Sequence, residues 1–190
     1  MSAQTGHAGT RVCWLILLFL VAGCSHRPPS SEYSSASPIF TSRDGQLHYH
    51  VPTGWFDATE NPQGQQAVVW IVRKDYAASI SVNKVTVDAG VRREANGSGL
   101  LRLGQLTMQL LLSSRSAVVV QSPRIVQMNG RDYCLYEVEE PSTHDVLRVA
   151  VFVTSAAAYE VMALATGGEK PAEANSVFAV QQEFVRQLEW

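Results

Sequence analysis

Cysteine is scarce in this chain of 190 residues. Cys13, Cys24 and Cys134 are the only three, and no CxxC pair or matched spacing joins them. That excludes a disulfide framework and gives no support to a zinc ribbon. Positive charge is also in short supply. Fifteen Lys and Arg stand against seventeen Asp and Glu, for a net charge of −2, whereas nucleic-acid binders gather a basic surplus on one face. No apolar run reaches the roughly 20 residues that a spanning helix needs. No serine lies in a G-x-S-x-G elbow. Gly97-Ser98-Gly99 lacks the rest of a phosphate loop and reads as the start of a helix, with Ser98 as N-cap. No repeat or low-complexity tract occurs after residue 38. The sequence therefore offers no catalytic residues, no metal site and no cofactor site.

What remains is ordinary globular material, 46 % hydrophobic and 17 % charged. It is enough for one domain with a core of its own.

The first apolar run is Val12 to Ala22, preceded by a polar segment whose only basic residue is Arg11. It is about half the length of a membrane span and reads as the apolar core of a signal peptide. The run ends Val21-Ala22-Gly23-Cys24. This tetrapeptide resembles a lipobox of the bacterial lipoprotein pathway: an apolar residue, two small ones, then cysteine. The thiol is the nucleophile that takes diacylglycerol through a thioether, and the small residues let a protease reach extended backbone. The resemblance implies residues 1–23 as a signal peptide, cleavage before Cys24, and a membrane contact made by lipid on Cys24. Each buried methylene contributes ~0.8 kcal/mol, so two or three acyl chains hold where one does not. Ser25 stands where an aspartate would resemble an inner-membrane retention signal, which implies the outer membrane, facing the periplasm. Residues 24–38 then form the lipidated cysteine and a Ser/Pro-rich linker, too poor in apolar side chains to offset its ordering entropy. Its reach is roughly 20 Å as a coil and about 45 Å stretched.

Residues 39–190 alternate as a folded domain. Gln46–Val51 reads as a short strand with Leu47, Tyr49 and Val51 on one face. Ala67–Val72 is apolar on both parities, as a strand covered on both sides would be. Ala78–Val87 is a third strand whose apolar parity switches, which predicts a bulge near Asn83-Lys84. A helix over about Ser98–Ser114 puts Leu100, Leu103, Leu110 and Leu111 on one face, widened by Leu101, Met108 and Leu112. Four strands follow, at Ala117–Met128, Arg131–Glu139, Asp145–Thr154 and Ala157–Thr166. Asn129-Gly130 is a type I′ turn, Ser155-Ala156 makes the last hairpin, and Pro123 demands an edge or a bulge. Leu147, Val149, Val151 and Val153 share one face and Arg148 takes the other. Gly167-Gly168 closes the meander. Pro171 opens a final helix with Val177, Val180, Phe184 and Leu188 as its buried stripe. The class is α+β: an antiparallel sheet of about six to seven strands flanked by helices.

The order of elements, with Val51-Pro52-x-Gly54-Trp55 after the first strand, resembles the Mog1/PsbP-like fold and, within it, the bacterial DcrB-like domains. In the Pro-x-Gly-Trp element the proline and glycine set a turn and Trp55 plugs one end of the sheet. The resemblance implies a non-catalytic binding or assembly domain with no shared catalytic residues. The lipobox selects an envelope protein that assists a protein partner. A small-ligand or metal binder is the alternative, and a hydrolase ranks below both.

Few side chains offer chemistry. His48 and His50 project from one face of a strand and would bind a metal only with a third ligand such as His144. As an isolated pair they read as solvent-facing. Cys134, flanked by Tyr133 and Leu135, reads as a buried inert thiol. Arg92-Arg93-Glu94 reads as a solvated loop, and Glu137, Glu139 and Glu140 lie along or just past a strand.

Overall fold

A computed structural model describes residues 38–96, 98–166 and 171–190. The expected signal segment, Cys24, the linker up to residue 37 and Gly167-Gly168 lie outside them. Seven antiparallel strands form the main sheet: β3 (Trp55–Asp57), β4 (Val69–Arg73), β5 (Ala78–Val85), β6 (Val118–Met128), β7 (Arg131–Glu140), β8 (Asp145–Val153) and β9 (Ala158–Ala165). Their spatial order is β3-β4-β5-β9-β8-β7-β6, so the last strand in sequence closes the middle of the sheet between β5 and β8. Two further strands, β1 (Ile39–Thr41) and β2 (His48–His50), form a separate ribbon.

Period-two alternation gives the sheet two apolar faces. On one, Tyr159, Val161 and Ala163 of β9 meet Val177, Phe178 and Phe184 of α3 (Pro171–Gln187), with Leu47 and Tyr49 of the ribbon closing the end. Gln181, buried in that helix, donates from Nε2 to the carbonyls of Arg148 at 3.0 Å and Val161 at 2.8 Å, so its amide is satisfied by the sheet. Trp55 on edge strand β3 is buried in this core, as the Pro-x-Gly-Trp element implied. On the opposite face Tyr136, Val149 and Val151 meet Leu100 and Leu103 of α2 (Leu100–Ser114) and Ala95 of α1 (Ala89–Ala95).

The α+β class, the four-strand meander and the buried stripe of α3 hold as read. Asn129 and Gly130 have φ of 52° and 75°, as a type I′ turn requires. Pro123 sits on the edge strand, in the interval where the β6–β7 register slips. Arg148 projects away from Leu147 and Val149 and lies over the Phe178 ring. Other expectations fail for physical reasons. No bulge occurs at Asn83-Lys84: β5 pairs residue for residue with β9 from Ala78 to Val85. The parity switches because α3 covers Ile80 and Val82 on one face, whereas α1 and α2 cover Val85 and Val87 on the other. The strand at 46–51 shrinks to β2 and leaves the main sheet, its edge place being taken by β3, which the Pro-x-Gly turn hid. Arg92-Arg93-Glu94 is no loop but part of α1. Asp88 caps that helix, accepting from the amides of Gly90 and Val91. Gly99, and not Ser98, stands at the N-cap of α2. Leu110 is 67 % exposed. Leu103, on the same flank, is sheltered beside Val91 of α1, whereas Leu110 lies two turns further along α2.

Gly104 marks where α2 presses closest to the sheet, because a Cβ there would overlap Sγ of Cys134. Gly104→Ala gains ~1 kcal/mol of helix propensity but overpacks a rigid strand at a cost of about 1–3 kcal/mol, so a net loss is expected. Urea denaturation should show it, and Gly104→Ala/Cys134→Ala should lose less than the two single changes summed. Gln105→Ala, on the exposed side, serves as the unchanged reference.

Candidate functional site

The α1 and α2 helices cover only part of their face. Over β4, β5 and β9 that face stays open as a cleft of about 270 Å³. Ser79, Ser81 and Asn83 of β5 and Met162 and Leu164 of β9 form its floor, and Trp70 with the turn at residues 63–67 forms one wall. Arg115, in extended backbone at the C-cap of α2, forms the opposite rim.

The turn wall is fixed from outside the sheet. Arg43, between β1 and β2, donates from Nη1 to the carbonyls of Gly64, Gln65 and Ala67 at 3.2, 3.0 and 2.9 Å, and from Nη2 to the carbonyl of Thr59. A planar guanidinium suits this gathering of carbonyls better than an ammonium would. Asn61 caps the turn by accepting from the amide of Gln63 at 2.9 Å. Gly64 lets the Trp70 ring lie flush, since a Cβ there would strike the indole.

Beneath Asn83 and Arg115 lies Glu160, cross-strand partner of Asn83. Burial pushes its carboxyl above the usual carboxylate range, against the opposing pull of an Asn83 hydrogen bond and the Arg115 charge. Asn83 Nδ2 also lies 3.0 Å from Met162 Sδ. Nearby Tyr136 donates its hydroxyl to Thr107 Oγ1 at 3.3 Å, and burial raises that phenol too. Chemically the cleft offers amide, hydroxyl and guanidinium donors and an apolar platform of Trp70, Met162 and Leu164, with the half-buried Glu160 carboxyl next to Asn83. No histidine lines it.

The residues singled out by sequence lie elsewhere. His48 is exposed, its Nδ1 3.2 Å from Thr41 Oγ1, with the buried Tyr49 between it and the half-buried His50. His144 sits in the β7–β8 turn with Nδ1 2.9 Å from Glu139 Oε1. Among the described residues no three His, Cys, Asp or Glu side chains are arranged to hold a metal. Cys134 is fully buried and its thiol is pushed up to about 11 by that burial, as expected of an inert thiol. Glu137 pairs with Arg148 at 3.2 Å and Glu140 accepts from Ser142 at 3.1 Å, so these acids serve structure. Glu160, Asn83, Trp70 and Arg115 went unread. One signal was available: Glu160 is the only charge in Ala158–Ala165, on the parity of Met162 and Leu164.

No family model and no curated protein matches the sequence. Solved structures do. The Ran-binding protein Mog1p of Saccharomyces cerevisiae superposes with a TM-score of 0.55 at 16 % identity, over 82 % of this chain and 96 % of its own. PsbP of Synechocystis superposes with a TM-score of 0.53 at 13 % identity, over 86 % and 98 %. The fold is Mog1/PsbP-like. A protein of Bacteroides thetaiotaomicron also matches, with a TM-score of 0.51 at 14 % identity over 80 % of this chain. The chain spans about half of that protein, 48 %. At these identities the Mog1/PsbP-like likeness carries the fold and not the chemistry.

The raised carboxyl makes a prediction with a definite sign. From the ordinary value of 4.5 up to its folded value, the folded protein holds the Glu160 proton more tightly than the unfolded chain. Stability therefore falls as pH rises through that window and stays lowered above it. Glu160→Gln removes the penalty. The variant should be more stable than the parent at neutral pH and should lose that advantage below the ordinary carboxylate range, as read by paired urea midpoints.

Proposed function

We propose that this is an envelope lipoprotein, held to a bilayer by lipid on Cys24, whose Mog1/PsbP-like domain is a non-catalytic accessory that takes a segment of a protein partner into the open cleft. The observation that carries the reading is the uncovered half of the sheet. Trp70, Met162 and Leu164 stand there half-buried, ringed by Ser79, Ser81, Asn83 and Arg115. An apolar floor with polar groups at its margin is the make-up of a recognition surface. The destabilising carboxyl of Glu160 in the same place fits a site kept for binding, since packing alone would favour an apolar residue there. A small polar ligand is the second reading, favoured by Arg115 on the cleft rim with its charge felt by the Glu160 carboxyl. The lipobox at Val21–Cys24 and Ser25 after it support an address on the periplasmic side of the outer membrane.

Two measurements test this. Mass spectrometry of the mature chain should find Cys24 as its first residue, heavier by its acyl groups, and Cys24→Ala should abolish both features. An unmodified Met1 terminus would sink the anchor. A photo-crosslinking amino acid at Ser81 should capture one defined envelope protein in intact cells, and the same group at Tyr76 should not. Equal labelling at both positions counts against the cleft. Thermal stabilisation by a small metabolite, lost in Arg115→Ala, would favour the second reading.

A further inference from the structure

We infer that the outer side of α1 and α2 and the start of β6 form a docking face for an anionic lipid bilayer. The chain carries seventeen acidic residues, yet residues 95–131 contain none. Within residues 89–131 the one acid is Glu94, held 3.6 Å from Arg102. In a protein of net charge −2, one continuous stretch of sequence has thus been cleared of acid.

The same stretch holds most of the exposed apolar bulk. Of ten large hydrophobic residues exposed among the described residues, seven fall between Leu101 and Ile125. Leu106 and Leu110 stand on one flank of α2 and Leu101 on the other. Val118, Val119 and Val120 follow directly after the helix. The helix surface between the leucines is Gln105, Gln109 and Ser113 with Arg102, and Arg93 is exposed on α1 beside it. Exposed leucines flanked by arginine, with Glu94 the one acid and that paired to Arg102, match the composition of an interfacial helix. Apolar side chains enter the acyl boundary and guanidinium groups stay with phosphate. Isolated exposed leucines need no explanation, but a cluster this dense does.

The edge of the sheet argues against a protein strand as occupant. β6 pairs only with β7, so its other side is free in principle. Two register shifts and Pro123 break its ladder in the very stretch a visiting strand would need. A bilayer needs no ladder. The inference rests on the proposed anchor only for keeping the domain near a membrane, since the face has its own affinity. The fourteen residues from Ser25 to Pro38 stretch to about 45 Å, enough slack to lay the face flat.

The test uses the full chain with an environment-sensitive fluorescent amino acid at position 110 or, as reference, at position 76 on the β4–β5 turn. Each is mixed with vesicles of phosphatidylcholine alone or with phosphatidylglycerol, and flotation is scored alongside. At position 110 the emission should shift to the blue and be quenched by brominated lipid on anionic vesicles, while position 76 stays solvent-like. Arg93→Glu with Arg102→Glu should raise the anionic lipid needed for half the shift by about tenfold or more. A chain that floats while position 110 remains solvent-like overturns the inference and leaves the anchor standing. A blue shift on anionic vesicles from a chain whose Cys24 carries no lipid supports the inference and removes the anchor. A concentration-dependent shift without lipid overturns it in favour of contact between two copies.

Discussion

A seven-stranded antiparallel sheet with two apolar faces must be covered twice, and the described residues supply three α-helices with which to do it. Burying a large aliphatic or aromatic side chain contributes roughly 1.5–3 kcal/mol, so the distribution of cover decides where the domain is stable and where it stays open. One face is closed by α3 and the β1–β2 ribbon, a core of tyrosines, phenylalanines and small alanines. The other receives α1 and α2, which reach from β6 to β8 and the nearby strand ends. Beyond them, among the described residues, the sheet stays open as the cleft. The cleft is a consequence of that shortfall and requires no special loop.

What turns a bare face into a defined site is the way its borders are held. Arg43 gathers four carbonyls of the 59–67 segment, and Asp44 beside it accepts from Ser42 and Tyr159 with Lys84 at 3.7 Å. The ribbon thereby ties itself to β5 and β9 and braces the cleft wall at once. These hydrogen bonds and the nearby lysine hold the Asp44 carboxyl below its usual range although partial burial works against them. Glu160 has the reverse balance: burial exceeds the help from Asn83 and Arg115. Two carboxylates near the ends of β5 and β9 thus serve opposite ends, one binding the fold together and one stored at the site.

The proposed envelope role draws these features into one geometry. A lipid on Cys24 would hold the domain within a short distance of a bilayer. An apolar face with little acid would set its orientation there, and the cleft lies on the same side of the sheet as that face. Mog1p and PsbP share the fold, and a shared fold leaves such surfaces free to differ.

The sequence by itself determined what depends on neighbours along the chain. The alternation of β7 to β9, the Asn129-Gly130 turn, the Pro123 edge and the stripe of α3 all follow from local spacing and local sterics. The α+β class was legible for the same reason, and the Mog1/PsbP-like order through its resemblance to a known family. Only the tertiary structure decided which face of each strand is covered and by what. It turned the parity switch in β5 from a bulge into a change of covering helix, and it left Leu110 exposed. It also brought Glu160, Asn83, Trp70 and Arg115 together from three strands and a helix end. Their meeting depends on β9 inserting between β5 and β8, a pairing across more than 70 residues that no local periodicity encodes.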